Sequence, residues 1–157
     1  MKHLNPLVQQ VMLVDDDPDA CLLFEKALQK VDALFQFSAA NSGEQLMKEL
    51  QHAVPSLLFL DLTLPGKNGM ECLEEIRSNP AYKSMKVIVY SNSARKSDIC
   101  LSYEKGADLF IVKPFSQRHL VNALEHVLQM DWQCKLPAPA TYFINNQFVP
   151  FTSVLTA

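Results

Sequence analysis

Carboxylates follow short apolar runs at two distant points of the chain. Asp15 and Asp16 come directly after the run at residues 11–14, and Asp61 comes directly after the run at residues 57–60. One such carboxylate by itself is typical of a solvated loop. Several carboxylates brought together repel one another unless a cation lies among them. The pattern therefore favours a cation site, provided that the fold places the two stretches side by side.

Two further polar side chains occupy equivalent places in the chain. Ser91 follows the apolar run at residues 87–90, and Lys113 follows the run at residues 109–112. A fifth apolar run lies at residues 34–39. Runs this short and this continuously apolar are typical of buried strands in a parallel sheet, which is covered on both faces. We therefore expect five strands, four of which are followed by a side chain suited to chemistry.

The segments between the apolar runs carry helical spacing and helix-start signals. Asp17 before Pro18 fits an N-cap followed by proline at the first helical position, and Ser42 begins a capping-box pattern. Gly106 suits a left-handed cap after the fourth helix. The expected helices begin near Asp17, Ser42, Asn68, Ser97 and Ser116. The buried stripe of the first helix is expected to consist of Leu22, Leu23, Ala27 and Leu28.

Five strands that alternate with five helices predict an α/β fold in which helices cover both faces of a parallel sheet. Right-handed crossovers leave few topologies. The natural one is a doubly wound five-stranded parallel sheet with strand order 2-1-3-4-5, the flavodoxin-like (βα)5 arrangement. Ligands of such sheets bind beyond the carboxyl ends of the strands, where the order reverses. The polar residues expected to converge there are Asp15, Asp16, Asp61, Ser91 and Lys113.

This convergence accounts for the acidic stretch after the first apolar run. Carboxylates, together with backbone carbonyls and water, are hard oxygen ligands that suit Mg²⁺. Mg²⁺ keeps several of its waters and favours phosphate substrates. The sequence therefore predicts a magnesium site at the carboxyl edge of the sheet.

The same motifs, taken in order, resemble those of response-regulator receiver domains of two-component systems. The resemblance spans roughly residues 8–130. It rests on Val14-Asp15-Asp16, Asp61-Leu62-Thr63-Leu64-Pro65-Gly66 with Gly69, Val89-Tyr90-Ser91, Gly106-Ala107 and Lys113-Pro114-Phe115. It implies that the protein receives a phosphoryl group from a sensor histidine kinase or a phosphotransfer protein. It also implies phosphorelay signal transduction through protein–protein contact.

By this resemblance Asp61 is the phosphoacceptor. Mg²⁺ is then bound directly by Asp16, Asp61 and the backbone carbonyl of Thr63, and Asp15 acts mainly through a coordinated water. The chemistry of these residue types agrees, because a carboxylate can form an aspartyl phosphate when a cation neutralises the transferring group. The resemblance implies a signalling domain with self-phosphorylation and autodephosphorylation chemistry, and not an enzyme that turns over an external substrate.

The resemblance also gives roles to residues after the last two strands of the predicted sheet. Ser91 and Lys113 are expected to hold the phosphoryl oxygens, and Lys113 is expected to pair with the acids before phosphorylation. Phe110 stands where the family carries a switch aromatic, commonly tyrosine, so it is expected to move together with Ser91. Simple packing of a core phenylalanine is the alternative. A cis peptide bond before Pro114 is also implied.

Two other functions fit parts of the pattern. A phosphatase of the haloacid dehalogenase type also forms an aspartyl phosphate after an apolar strand. Its motif carries a second Asp two residues after the nucleophile, where this chain has Thr63. A degenerate receiver that serves only as a binding module is the second alternative, and it is disfavoured because every expected active-site position holds a competent residue.

Composition disfavours several classes of partner. The chain has 157 residues and a net charge of −3, which gives no electrostatic reason to expect nucleic acid or an anionic membrane. No apolar run approaches the ~18 residues of a membrane-spanning helix. Four scattered cysteines without a Cys-x-x-Cys pair favour free thiols. With no secretory signal recognised at the amino end, these features predict a cytoplasmic protein.

The expected organisation is an N-terminal extension at residues 1–7, a receiver domain at residues 8–131 and a C-terminal tail at residues 132–157. The tail is too short for a helix-turn-helix output domain, so a stand-alone receiver is expected. Its candidate partners are a downstream protein that the sequence does not name and a second copy of the chain, as a homodimer. Within the tail, the prolines predict an extended linker at residues 135–140.

The last part of the tail carries a hairpin pattern. Tyr142-Phe143-Ile144 and Gln147-Phe148-Val149 flank Asn145-Asn146. Asparagine tolerates positive φ, so the pair predicts a tight turn between two short strands. An isolated hairpin is marginal in water, and we therefore expect it to pack on its own receiver or on a neighbouring protomer. A tail without fixed structure is the alternative.

Overall fold

The computed structural model describes residues 10–31, 34–132 and 141–150. The N-terminal extension at residues 1–7 and the linker predicted at residues 135–140 lie outside the described residues.

The described chain alternates between strands and helices. The strands are β1 (Gln10–Val14), β2 (Gln36–Ala40), β3 (Leu57–Leu60), β4 (Lys86–Ser91), β5 (Leu109–Val112), β6 (Thr141–Ile144) and β7 (Gln147–Pro150). The α-helices are α1 (Pro18–Val31), α2 (Gly43–Leu50), α3 (Gly69–Ser78), α4 (Lys96–Glu104) and α5 (Gln117–Gln129). A short 3₁₀ turn at Pro80–Tyr82 precedes β4.

All of the described strands belong to one sheet with the order β2-β1-β3-β4-β5-β6-β7. The first five pair in parallel, which confirms the predicted order 2-1-3-4-5 and the α/β class. One sheet face packs against α1 and α5, and the other packs against α2, α3 and α4. β1, β3, β4 and β5 are buried along almost their whole length, as continuously apolar runs predict. β2 lies at the edge and is mostly exposed, so the burial expected for the run at residues 34–39 is wrong there, and Leu34 is 88% exposed.

Four of the residues expected at helix starts act as caps. The side chains of Asp17, Ser42, Asn68 and Ser116 accept hydrogen bonds from backbone N–H groups in the first turns of α1, α2, α3 and α5. Gly106 follows α4 with a φ of +103°, where a side chain would be strained, and an added Cβ would lie 2.6 Å from Cγ of Arg77. Local capping contacts therefore determine where these helices begin and where α4 ends.

The buried stripe predicted for α1 is wrong at two positions. Leu22 and Leu23 are 50% and 49% exposed, whereas Phe24 is fully buried together with Ala27 and Leu28. The Phe24 ring packs edge-on against Phe59, with ring centroids 4.9 Å apart. A helix turns by about 100° per residue, so three consecutive apolar residues cannot all face the sheet. The aromatic ring takes the inward position, and the two leucines lie towards solvent.

The sheet is larger than predicted, because a hairpin extends it beyond β5. β6 lies parallel to β5 with Phe143 opposite Ile111, and β7 returns antiparallel to β6. Asn145 and Asn146 form the turn with φ angles of 48° and 70°. An edge strand presents unpaired backbone groups, and a hairpin needs a surface for its apolar side chains. Docking on β5 meets both needs.

The hairpin packs on both faces of the sheet edge. Phe143 is 2% exposed and joins the cluster on the α5 side, where its ring lies 5.0 Å from that of Phe148 and 5.6 Å from that of His126. Tyr142 and Ile144 pack against the cluster on the α4 side. The side chain of Asn122 in α5 also donates to Asn146 in the turn. The hairpin therefore covers the strand edge that lies between α4 and α5.

None of the described helices has both the length and the apolar character needed to cross a membrane.

Phe143→Ala is expected to lower the free energy of unfolding by about 3–4 kcal/mol, because it removes a buried ring that joins the hairpin to the sheet. Phe115→Ala is the matched control, since the Phe115 side chain is 99% exposed. Urea unfolding followed by circular dichroism measures both variants. Equal unfolding free energies for the two variants would contradict docking of the hairpin on its own sheet.

Candidate functional site

The carboxyl edge of the sheet brings together the residues that the sequence predicts there. Asp15 follows β1, Asp61 follows β3, and Lys113 follows β5. The backbone N–H of each continues the ladder one residue past its strand, to the carbonyls of Ala40 (3.0 Å), Val14 (3.1 Å) and Ser91 (2.8 Å). These three side chains are therefore positioned by the sheet itself and not by flexible loops.

The ammonium of Lys113 lies between two buried carboxylates. Its Nζ donates to Oδ2 of Asp15 and to Oδ2 of Asp61, each at 2.7 Å. The exposed fraction of the side chain is 14% for Lys113, 2% for Asp15 and 8% for Asp61. The ion pairing expected for Lys113 before phosphorylation is therefore present. Buried charges of one sign require such a partner, because water does not screen them.

Burial and the neighbouring charges shift the pKa values of Asp61 and Lys113 in opposite directions. Burial raises the pKa of Asp61 above its ordinary value, and the hydrogen bonds from Lys113 and from the Thr63 N–H oppose that effect only in part. Burial alone would lower the pKa of Lys113, but the hydrogen bonds from its ammonium to Asp15 and Asp61 outweigh it, so the pKa of Lys113 is raised. Lys113 is therefore charged at neutral pH. A further cation near Asp61 would favour the ionised carboxylate.

Three carboxylates form a group that could hold a metal ion. Asp15, Asp16 and Asp61 each offer an oxygen, and these atoms lie within 4.8 Å of one another. Asp15 and Asp61 are buried, whereas Asp16 is exposed. In Asp15 and Asp61, Oδ2 accepts from Lys113, and Oδ1 is oriented by a backbone donor. Oδ1 of Asp61 accepts from the Thr63 N–H at 3.0 Å, and Oδ1 of Asp15 accepts from the Asp17 N–H at 3.0 Å. An all-oxygen donor set of this kind fits a hard divalent cation.

A close backbone approach positions the residue that follows β3. An added Cβ at Gly69 would lie 2.0 Å from the carbonyl oxygen of Asp61, and the Gly69 N–H donates to the carbonyl of Leu62 at 3.1 Å. Only glycine allows the start of α3 to pack so closely on the Asp61 backbone. Gly69 belongs to the motif seen in the sequence, but its packing role becomes evident only in the structure.

Ser91 and Phe110 lie behind the acidic cluster. Ser91 is 2% exposed, and its Oγ accepts a hydrogen bond from the Ser93 N–H at 3.1 Å. Phe110 is fully buried in the cluster between the sheet and α4. Its backbone N–H donates to the hydroxyl of Tyr103 in α4 at 3.1 Å, and burial raises the pKa of Tyr103 to about 12. Phe110 is thus a core residue in this state and is also joined to α4.

The contacts of two tyrosines, Tyr90 and Tyr103, were not predicted from the sequence. The Lys113 ammonium lies 5.4 Å from the ring centroid of Tyr90, which is a cation–π contact. Tyr90 directly precedes Ser91, so its place beside the predicted edge was a usable signal. Nothing in the local pattern around Tyr103 indicates that its hydroxyl reaches β5, because that contact depends on how α4 packs.

The expected cis bond before Pro114 is absent: the described part of the chain contains no cis peptide bonds, so the Lys113–Pro114 bond is trans. The trans form is the one that X-Pro bonds prefer in general, by about 0.5–1 kcal/mol.

Comparison with known proteins agrees with this geometry. The family model described as "Response regulator receiver domain" matches residues 11–125. This chain belongs to the response regulator receiver family. The matched range contains every residue of the candidate site. The receiver assignment disfavours the phosphatase alternative, which the presence of Thr63 in place of a second Asp already disfavoured.

Individual relatives of this receiver are response regulators. The probable C4-dicarboxylate response regulator DctR of Bacillus subtilis is 32% identical over 120 residues, which is 76% of this chain and 52% of that protein. The phosphorylated cyanobacterial phytochrome response regulator RcpA has a similar structure, with a TM-score of 0.71 at 28% identity over 76% of this chain and 90% of its own. The Mn²⁺-bound form of response regulator Rcp1 gives 0.70 at 27% identity, over 83% and 99%. The chain spans about half the length of the curated relatives it matches.

Lys113→Ala is expected to lower the free energy of unfolding of the metal-free receiver by about 2–4 kcal/mol, because it leaves two buried carboxylates without their shared cation. Mg²⁺ is expected to stabilise the variant more than the native protein, since it would supply the missing charge. Urea unfolding with and without Mg²⁺ measures both effects.

Lys105→Ala provides the control for loss of a lysine. Lys105 pairs with Glu74 at 2.6 Å, and both side chains are well exposed, so its removal is expected to change the free energy of unfolding much less than Lys113→Ala does. Equal losses for the two lysine variants, or an equal Mg²⁺ effect in Lys113→Ala and the native protein, would contradict the electrostatic role of Lys113.

Proposed function

We propose that Asp61 accepts a phosphoryl group from the phosphohistidine of a sensor histidine kinase or a phosphotransfer protein. The observation that carries this proposal is the position of Asp61 in a cluster of three carboxylates with an ammonium 2.7 Å away. A carboxylate oxygen of Asp61 attacks phosphorus, the P–N bond breaks, and the electron pair stays on the donor imidazole. The product is an aspartyl phosphate. The same carboxylate would accept phosphate from small phosphodonors, and water would later hydrolyse the acyl phosphate.

Charge neutralisation is the main contribution that such a site makes to phosphoryl transfer. Lys113 is a compact point charge that already contacts Asp61, so it can hold a phosphoryl oxygen on that carboxylate without a large movement. Ser91 supplies a short hydroxyl donor at the end of β4. Residues outside the cluster then need only to admit the donor and to exclude competing reactions.

The metal in this proposal is Mg²⁺, held by Asp16, Asp61 and the backbone carbonyl of Thr63, with Asp15 acting through a coordinated water. The all-oxygen donor set and the burial of Asp15 and Asp61 support it, and the similar regulator Rcp1 is described as a Mn²⁺-bound form. A bound Mg²⁺ would neutralise the transferring group and reduce its repulsion from Asp61. Because Asp16 is exposed, phosphate and water could reach a cation held by this cluster.

The proposed output is a change of the surface formed by α4, β5 and α5, with Ser91 and Phe110 as switch residues. Phe110 fills the core behind Ser91, and its backbone is hydrogen-bonded to Tyr103 of α4. Packed elements have discrete arrangements, so a shift of Ser91 towards a phosphoryl group can change how Phe110 and α4 pack. A downstream protein that reads this surface also meets the hairpin, because β6 pairs with β5.

A homodimer through this edge would involve the hairpin in the same way. The organisation proposed for the chain remains an extension at residues 1–7, a receiver at 8–131 and a tail at 132–157, in a cytoplasmic protein that binds neither nucleic acid nor membrane.

Asp61→Asn is expected to abolish phosphate incorporation from acetyl phosphate in the presence of Mg²⁺, because an amide cannot form the acyl phosphate. Asp19→Asn changes an exposed carboxylate of α1 outside the cluster and is expected to retain incorporation. Base-labile radiolabel on the protein measures both. Labelling of Asp61→Asn at the rate of the native protein would remove Asp61 from its role. Failure of the native protein to become labelled would favour a receiver that acts only as a binding module.

Phe110→Ala is expected to bind beryllofluoride with Mg²⁺ within about threefold of the native affinity, because the ring lies outside the cluster of ligands. It is expected to lose most of the beryllofluoride-induced change in the amide chemical shifts of α4. Phe24→Ala removes an equally buried ring on the opposite sheet face and controls for lower stability. Equal α4 shift changes in both variants would show that Phe110 is core packing and not a switch.

A further inference from the structure

Helix α4 buries few of its side chains and also makes specific polar contacts. Of its residues only Ile99 and Ser102 are buried, which is little apolar burial for a helix of nine residues. Hydrogen bonds also join it to neighbouring residues, since the Tyr103 hydroxyl accepts from the Phe110 N–H and the Asp98 carboxylate accepts from the Ser93 hydroxyl. The bond from Ser102 Oγ to the Asp98 carbonyl at 2.7 Å lies within α4 itself.

A chain of two hydrogen bonds links the start of α4 to the hydroxyl of Ser91. The Ser93 N–H donates to Ser91 Oγ at 3.1 Å, and Ser93 Oγ donates to Oδ2 of Asp98 at 2.5 Å. Ser93 Oγ also accepts from the Arg95 N–H at 3.2 Å. Asp98 lies in the first turn of α4, and its side chain is 28% exposed. The loop between β4 and α4 is thus fastened at Ser91 on one side and at Asp98 on the other.

This arrangement determines what the Ser91 hydroxyl can do. Its oxygen accepts from Ser93, so its proton remains available to donate to another oxygen. A phosphoryl oxygen on Asp61 needs such a donor. The hydrogen bond from Ser93 restricts the Ser91 side chain, so less ordering remains to be done when Ser91 shifts towards the ligand. Asp98 holds Ser93 through a charge-assisted hydrogen bond, which is stronger than a neutral one.

We propose that Ser93 and Asp98 are positioning residues that orient the Ser91 hydroxyl towards the phosphoryl group on Asp61. This inference rests on the proposed function of Asp61. It places a determinant of phosphoryl affinity on α4, at a side chain that does not touch the reacting atoms. Because coupling is reciprocal, phosphoryl binding at Asp61 also stabilises the contact between Ser93 and the first turn of α4. The signal therefore reaches α4 by a route separate from Phe110.

The test is calorimetric titration of beryllofluoride in excess Mg²⁺ with variants of Asp98. Asp98→Ala is expected to weaken beryllofluoride binding by about three- to tenfold, the size of effect that loss of one hydrogen bond produces. Asp98→Asn keeps a side-chain oxygen that can accept from Ser93, so its affinity is expected to stay within about twofold of the native value. Glu104→Ala removes an exposed carboxylate elsewhere on α4 and is expected to change nothing.

A second comparison separates positioning from a general loss of structure in α4. In a Ser91→Ala background the hydroxyl that Ser93 orients is gone, so Asp98→Ala is expected to have no further effect on beryllofluoride affinity. Equal weakening in both backgrounds, unchanged affinity in Asp98→Ala, or tighter binding would each overturn the inference. If the native protein itself binds no beryllofluoride, the proposed function fails together with the inference. Native binding with an insensitive Asp98→Ala defeats the inference alone.

Discussion

A lysine ammonium held between two buried carboxylates is the interaction on which the rest of the site depends. Asp15 and Asp61 directly follow neighbouring strands, and burial would make their charges unfavourable without Lys113. Each of the three residues continues the backbone ladder one position past its strand, so the geometry follows from the order of the strands. The parallel sheet thus positions the two carboxylates, and the Lys113 ammonium stabilises their negative charges without a metal ion.

The same constraint explains how phosphorylation could change distant parts of the molecule. A phosphoryl group adds negative charge where two carboxylates already compete for one ammonium, so new donors must be recruited. Ser91 offers a hydroxyl at the end of β4, and it is linked through Ser93 to α4. The Phe110 backbone is joined to the same helix through Tyr103. Since β6 pairs with β5, a change at this edge also reaches the hairpin.

Much of this architecture could be predicted from the sequence, because the information lies in short local patterns. Apolar runs of strand length followed by polar residues predicted the strand order and the convergence of Asp15, Asp61 and Lys113. The inward position of Phe24 could not be predicted in the same way, since Leu22 and Leu23 are equally apolar and the choice depends on how α1 is rotated on the sheet. The hairpin turn was evident in Asn145-Asn146. The surface on which the hairpin docks was not evident, because its pairing with β5 is decided by tertiary packing. The hydrogen bonds of Ser93 and Tyr103 likewise depend on the position of α4.

The most direct test of the central claim is to trap and locate the phosphoryl group. The protein is treated with acetyl phosphate in Mg²⁺ or in a chelator, reduced with borohydride, and digested for peptide mass spectrometry. Borohydride converts an aspartyl phosphate to homoserine, so the modified residue carries a defined mass change. If Asp61 is the phosphoacceptor, homoserine is expected at position 61 alone, formed in Mg²⁺ and lost in the chelator. Homoserine at position 15 or 16, or labelling at position 61 that does not depend on a divalent cation, would contradict it.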